Sequence, residues 1–183
     1  MKYFVMILLS VCSTWASAHA GHAGHGSALI EGLLHPLTGV DHLLMGLGFG
    51  LLMAKTVQQT RWLGAGLLMS ALCCGFALGV MGVWTNTTMA EQGIVVSLLV
   101  LAVALWQKSR PAIFAMLALL GLFHGAAHGA EMPATLNPVL FCAGMLMTLT
   151  ALYALGVFVG RRLVNVLPNR VVAIAMVATA CLG

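Results

Sequence analysis

Residues 122–131 read Leu-Phe-His-Gly-Ala-Ala-His-Gly-Ala-Glu and close an otherwise uncharged apolar run. They place His124, His128 and Glu131 at i, i+4 and i+7. In an α-helix, at about 100° per residue, those positions share one face within roughly 60°. Two imidazoles and a carboxylate stacked beside hydrocarbon are costly to keep unless they bind something. The alternative is a pair of histidines bonded to nearby carbonyls, with Glu131 in a loop. That accounts for a single polar residue more easily than for a stripe of three.

A second cluster lies earlier in the chain: Glu31-Gly-Leu-Leu-His35-Pro-Leu-Thr-Gly-Val-Asp41-His42. His35 and His42 return to one face if the helix is continuous. Pro36 is expected to leave Leu34 and His35 extended and to start the helix just after them. Asp41 stands about 100° from His42, so it reaches a shared site from the side or supports a ligating imidazole through its other N–H. Imidazoles with carboxylates suit nickel, cobalt, zinc or copper(II). Neither motif core holds Cys or Met, which disfavours copper(I), and Met45 and Met132 read as apolar filler.

The rest of the chain must position these groups. Only 7% of its 183 residues are charged and 61% are hydrophobic, whereas a soluble domain carries about a quarter charged residues. The composition is that of a polytopic membrane protein, and its formal charge of +4 reports topology rather than nucleic-acid binding. Lys2, the apolar run 4–11 and Ala16-Ser17-Ala18 have the anatomy of a secretory signal peptide. Residues 1–18 are therefore expected to be removed, leaving one transmembrane domain, 19–183. The mature chain would begin with His19, His22 and His25 among small residues, a mobile metal-catching tail. Cys73, Cys74, Cys142 and Cys181 lie inside apolar runs without paired spacing. They read as small packing residues, with neither a disulfide framework nor a thiolate metal site.

Length and helix breakers divide the mature chain into apolar segments at about 36–54, 62–84, 93–107, 111–129 and 138–160, with a sixth starting near 171. Proline opens three of them, where its missing N–H costs nothing. Most approach the roughly 20 residues that cross a bilayer. The expected fold class is an all-α membrane protein with a cleaved signal peptide and about six transmembrane helices, and the count suggests a three-plus-three inverted repeat. Lys55 and Arg61, Lys108 and Arg110, and Arg161, Arg162 and Arg170 flank alternate loops, whereas 85–90 and 130–137 hold no Lys or Arg. Those basic loops are expected in the cytoplasm and the mature N-terminus outside. Both histidine motifs then lie at the outer ends of their helices, at one depth. Gly46/Gly50, Gly75/Gly79, Gly121/Gly125/Gly129 and Gly156/Gly160 have the spacing of close helix packing.

The pairing of His35-Pro-Leu-Thr-Gly-Val-Asp41-His42 with Phe123-His124-Gly-Ala-Ala-His128-Gly-Ala-Glu131 resembles the HupE/UreJ family of nickel permeases. The resemblance extends over almost the whole chain. It implies uptake of nickel, sometimes cobalt, across the bacterial inner membrane for hydrogenase or urease maturation, with no enzymatic activity. The metal is cargo rather than cofactor, and the other partner is the lipid bilayer. His35, Asp41, His42, His124, His128 and Glu131 are the candidate ligands, and His19, His22 and His25 the auxiliary capture set. No G-x-x-x-x-G-K-[ST] motif is present, so ATP coupling would need another subunit. Two other readings use the same residues. A membrane cytochrome would place haem between opposed imidazoles, which the neighbouring carboxylates disfavour. An intramembrane metalloprotease would use His124 and His128 as an H-E-x-x-H pair, but Gly125 stands where the general base belongs.

Overall fold

The computed structural model describes residues 27–84, 86, 88–89, 92–93, 110–163 and 174. The expected signal peptide, the tail histidines His19, His22 and His25, nearly all of segment 93–107 and nearly all of the sixth segment lie outside the described residues.

Helix α1, Ala28–Thr38, begins well before the expected start at Pro36. Ser27 caps it: its backbone is extended and its hydroxyl accepts from the Ile30 N–H at 3.4 Å. Glu31 follows in the first turn, where the positive end of the helix dipole favours a carboxylate. Pro36 sits buried inside the helix. Its ring forfeits one backbone bond, but the face around it is held elsewhere. Gly32 lies against the Phe141 backbone, and the Thr148 hydroxyl donates to the Leu33 carbonyl at 2.7 Å. The helix stops at Gly39, which is extended (φ −106°, ψ 131°). It restarts as α2, Val40–Leu43, passes through a π-helical turn, Leu44–Gly48, and ends as α3, Phe49–Met53.

The expectation of six spanning helices is therefore corrected. Among the described residues, three helices are long and apolar enough to cross a membrane: Gln58–Val80, Arg110–Glu131 and Pro138–Arg162. The first apolar segment does not join them because the extended backbone at Gly39 divides it into 28–38 and 40–53, each short of the roughly 20 residues that cross a bilayer. The three-plus-three inverted repeat falls with that count. The all-α class holds, with no strand among the described residues.

The long helices are α4, Gln58–Val80, α5, Arg110–Glu131, and α6, Pro138–Leu163. Asn137 starts α6 by accepting from the Val139 and Leu140 N–H groups at 3.0 and 3.1 Å. The helices pack as two pairs through their glycines. Gly75 and Gly79 of α4 meet α5 at Leu122, Ala126 and Ala130, and Gly121, Gly125 and Gly129 meet α4 in return. Gly46 and Gly50 meet α6 at Leu152, Tyr153 and Gly156, and Gly144, Gly156 and Gly160 meet α1, the π turn and α3. In each pair the contacts advance together along both chains, so the partners run parallel. Without a Cβ the backbones approach to van der Waals distance, the main source of attraction between helices in lipid. Met45, Phe49, Leu68, Leu72, Leu117, Leu120, Met145 and Leu149 fill the core between the pairs.

This arrangement sorts charge. Lys55, Arg61, Arg110, Arg161 and Arg162 fall at one end of the bundle, and the histidines fall at or toward the other. At the basic end Arg61 donates to the Ala54 and Thr56 carbonyls, and the Tyr153 hydroxyl donates to the Arg61 carbonyl at 2.9 Å. The short α3–α4 turn is thereby tied to α6.

Candidate metal centre

Two helical segments from one pair face one helix of the other. His35, near the end of α1, and His42, in α2, come from the broken segment; His124 and His128 come from consecutive turns of α5. The helix between His35 and His42 is not continuous, yet their rings lie 4.9 Å apart, edge to face. The extended residue at Gly39 changes the direction of the chain between them, so the simple seven-residue phase does not account for the contact.

His128 is the hub. Its Nε2 lies 2.8 Å from His42 Nε2 and 3.2 Å from His124 Nε2, while its Nδ1 lies 3.2 Å from His35 Nε2. Ligand atoms of His35, His42 and His128 all fall within 4.8 Å of one another. His42 and His124 are fully buried, whereas His35 and His128 are half-buried. A neutral imidazole offers one donor and one acceptor. Where the Nε2 atoms of His42, His124 and His128 are unprotonated, their lone pairs meet in one place that a cation can occupy. Nitrogens bonded at about 2.0–2.1 Å to one ion lie roughly 3.0–3.4 Å apart, which the His124–His128 pair at 3.2 Å matches and the His42–His128 pair at 2.8 Å reaches by opening slightly. Haem needs roughly 4 Å between its two axial nitrogens and room for a porphyrin, which the 2.8 Å approach of His42 and His128 does not leave.

The two carboxylates differ from the histidines. Asp41 lies in α2 beside His42. Glu131 is the exposed last residue of α5 and is not among the groups whose ligand atoms converge. Sequence spacing brought out the four histidines but not their aromatic wall. The Phe141 ring lies 5.5 Å from that of His35, and Phe76 stacks on Phe141 at 6.1 Å. These rings keep the site against hydrocarbon rather than water. No signal short of the helix pairing would have picked them out. Glu31, one turn before His35, has its Oε1 out of solvent and without a hydrogen-bond partner.

Comparison with known proteins gives a consistent picture. The chain is 28% identical over 159 residues to Protein HupE of Rhizobium leguminosarum bv. viciae, covering 86% of this chain and 83% of that protein. No solved structure matches. The family described as HupE / UreJ protein matches residues 7–183. With that match over nearly its full length, the chain belongs to the HupE/UreJ family, whose members are permeases and not enzymes.

Proposed function

We propose that the protein is a secondary transporter that carries Ni²⁺, with Co²⁺ as a second cargo, from the periplasm across the bacterial inner membrane for hydrogenase or urease maturation. The observation that carries this reading is the convergence of His35, His42 and His124 on the two ring nitrogens of His128, inside a bundle of apolar helices. Imidazole donors suit these borderline ions. The gradient of burial supports a direction of entry: the ion meets half-buried His35 and His128 first and then the enclosed pair His42 and His124. Asp41, next to His42 in sequence, and Glu131, at the exposed end of α5, complete the proposed ligand set. His19, His22 and His25 raise the local metal concentration ahead of the site.

The deciding experiment is uptake of radiolabelled nickel into proteoliposomes holding the full protein, with cobalt and zinc as competitors. Saturable uptake, competed better by cobalt than by zinc, is expected; uptake no greater than in protein-free liposomes would overturn the reading. In the same assay, loss of residues 19–25 should weaken uptake only when metal is scarce. Equal loss at abundant metal would place the tail inside the transport site.

Orientation is a separate expectation. Basic residues favour the cytoplasmic side, so the end bearing Arg61, Arg110 and Arg161 should face the cytoplasm and the histidine end the periplasm. Reporter fusions after Arg161 should register as cytoplasmic and fusions within 132–137 as periplasmic. The opposite pattern would turn the import direction around.

A further inference from the structure

One carboxylate oxygen in α1 is shielded from water and unpaired. Glu31 lies in the first turn of that helix, whose start is held by other groups. The Ser27 hydroxyl accepts from the Ile30 N–H at 3.4 Å, and the Ser27 carbonyl accepts from the Glu31 N–H at 3.1 Å. The helix dipole favours a carboxylate there, but a solvated one would serve it. Glu31 is instead half-buried, with Oε1 out of solvent and without a hydrogen-bond partner. An ionised carboxylate only accepts, so an oxygen kept from water needs a donor or a cation. Its position favours a cation. Glu31 precedes His35 by four residues in one unbroken helix, which sets the two side chains about 40° apart around the axis, with Cβ atoms about 5–6 Å apart. The His35 ring meets those of His42 and His128, so this is the side of α1 that faces the cluster. Helix α1 starts at the histidine end of the bundle, where Gly32 lies against the Phe141 backbone. A rise of about 1.5 Å per residue then puts Glu31 about 6 Å farther out than His35. From outside inward come Glu31, half-buried His35 and His128, and buried His42 and His124.

We propose that Glu31 is a further ligand of the transported ion, which it holds together with His35 one turn outside the cluster before the ion passes to His128. The inference rests on the permease reading for the identity of that ion. Two ligating side chains at i and i+4 on one helix face can bind one ion, as paired histidines do in metal-binding helices, and mixed nitrogen and oxygen donors suit Ni²⁺ and Co²⁺. The two donors have different parts. A neutral imidazole brings no charge to a divalent ion, whereas a carboxylate supplies a negative one. Glu31 thus compensates the ion for the water it sheds on entry. His35, whose Nε2 lies 3.2 Å from His128 Nδ1, delivers it to the hub. Excess metal makes up for a weakened first station, so Glu31 acts on half-saturation rather than on maximal rate.

Thermal melting of the full-length protein in detergent, with and without nickel chloride, reads binding separately from transport, because an ion held by the folded state raises the melting temperature. Every variant keeps residues 19–25, so differences among them report the bundle. Glu31→Gln preserves the shape of the side chain and removes its charge. Without metal it should melt no lower than the native protein, since a shielded unpaired charge is gone, and its rise with nickel should be smaller. Glu31→Asp should recover part of that rise. In proteoliposomes, Glu31→Gln should increase the nickel concentration for half-maximal uptake about 10–100-fold, with the maximal rate near native. An equal rise with nickel in the native protein and Glu31→Gln overturns the proposal, whatever the transport result. So does a metal-free Glu31→Gln protein that melts well below the native one, which makes the carboxylate structural. Unchanged half-saturation overturns the handover. A smaller rise in Glu31→Gln beside absent uptake by the native protein would remove the permease reading and leave Glu31 as a metal ligand.

Discussion

His128→Ala should abolish nickel uptake while leaving the protein inserted in the membrane. Both ring nitrogens of His128 are engaged, Nε2 with His42 and His124 and Nδ1 with His35. Removing this ring therefore separates His35 from the buried pair as well as deleting a ligand. Loss of an outer-shell partner already costs about 10–100-fold in metal affinity, so loss of the hub should cost at least about 100-fold. The apolar core does not depend on it, because the fully buried side chains around Leu72, Leu120 and Met145 remain packed. A nearly unchanged melting temperature in detergent should accompany the loss of uptake. His35→Ala should be milder, since that ring is half-buried and meets the hub only through Nδ1. Normal transport by correctly inserted His128→Ala would make the cluster structural and sink the proposed function.

The second large effect should come from a residue that binds nothing. Gly125 lies between His124 and His128, on the side of α5 that rests against α4. A Cβ there would run into the Leu72 carbonyl and approach the Phe76 nitrogen to 2.7 Å. Those are backbone atoms of a packed helix and cannot swing aside as a side-chain tip would. Overpacking of this kind costs about 1–3 kcal/mol. Gly125→Val adds two further carbons, so α4 and α5 must part. Metal–ligand distances tolerate only about 0.2 Å, and a small shift of α5 carries His124 and His128 away from His42. Gly125→Val should therefore lower both the melting temperature and the uptake rate. Gly66→Ala is the matched control, because its added carbon would meet nothing within 4 Å. It should retain full uptake and, by the higher helix propensity of Ala, gain up to about 1 kcal/mol. Native stability and uptake in Gly125→Val would show that the α4–α5 contact can open without consequence.

What the sequence revealed depended on how local each determinant is. Helix α6 starts where expected because Asn137-Pro138 is a local starting signal. The glycine spacings marked the packed faces, since only a missing side chain permits such approach. Four histidines were visible through their spacing and their poor fit to an apolar run. The first helix was misjudged because a proline favours the first helical turn in isolation, whereas Pro36 is held mid-helix by the packing of α1 on α6. The break at Gly39 and the π turn at Leu44–Gly48 have no local signature strong enough to separate them from an ordinary apolar helix. The stacking of Phe76 on Phe141 was out of reach for the same reason. It depends on which helices pair, and that is decided by contacts distant in sequence.

The pairing also sets an order of events during synthesis. Helices α1–α3 are made first, but the surface they pack against is α6, the last of the described long helices. The bond from Thr148 to the Leu33 carbonyl closes a separation of 115 residues. Until α6 enters the bilayer, the Leu33 carbonyl lacks its hydroxyl donor and Gly32 its backing from Phe141. Transmembrane helices first insert individually and then associate, so the earliest-made histidines wait for the latest-made helix. A chain arrested before α6 would carry all four imidazoles and hold none of them by the finished packing. The nascent protein thus completes the packing around its histidine cluster only after α6 has been made.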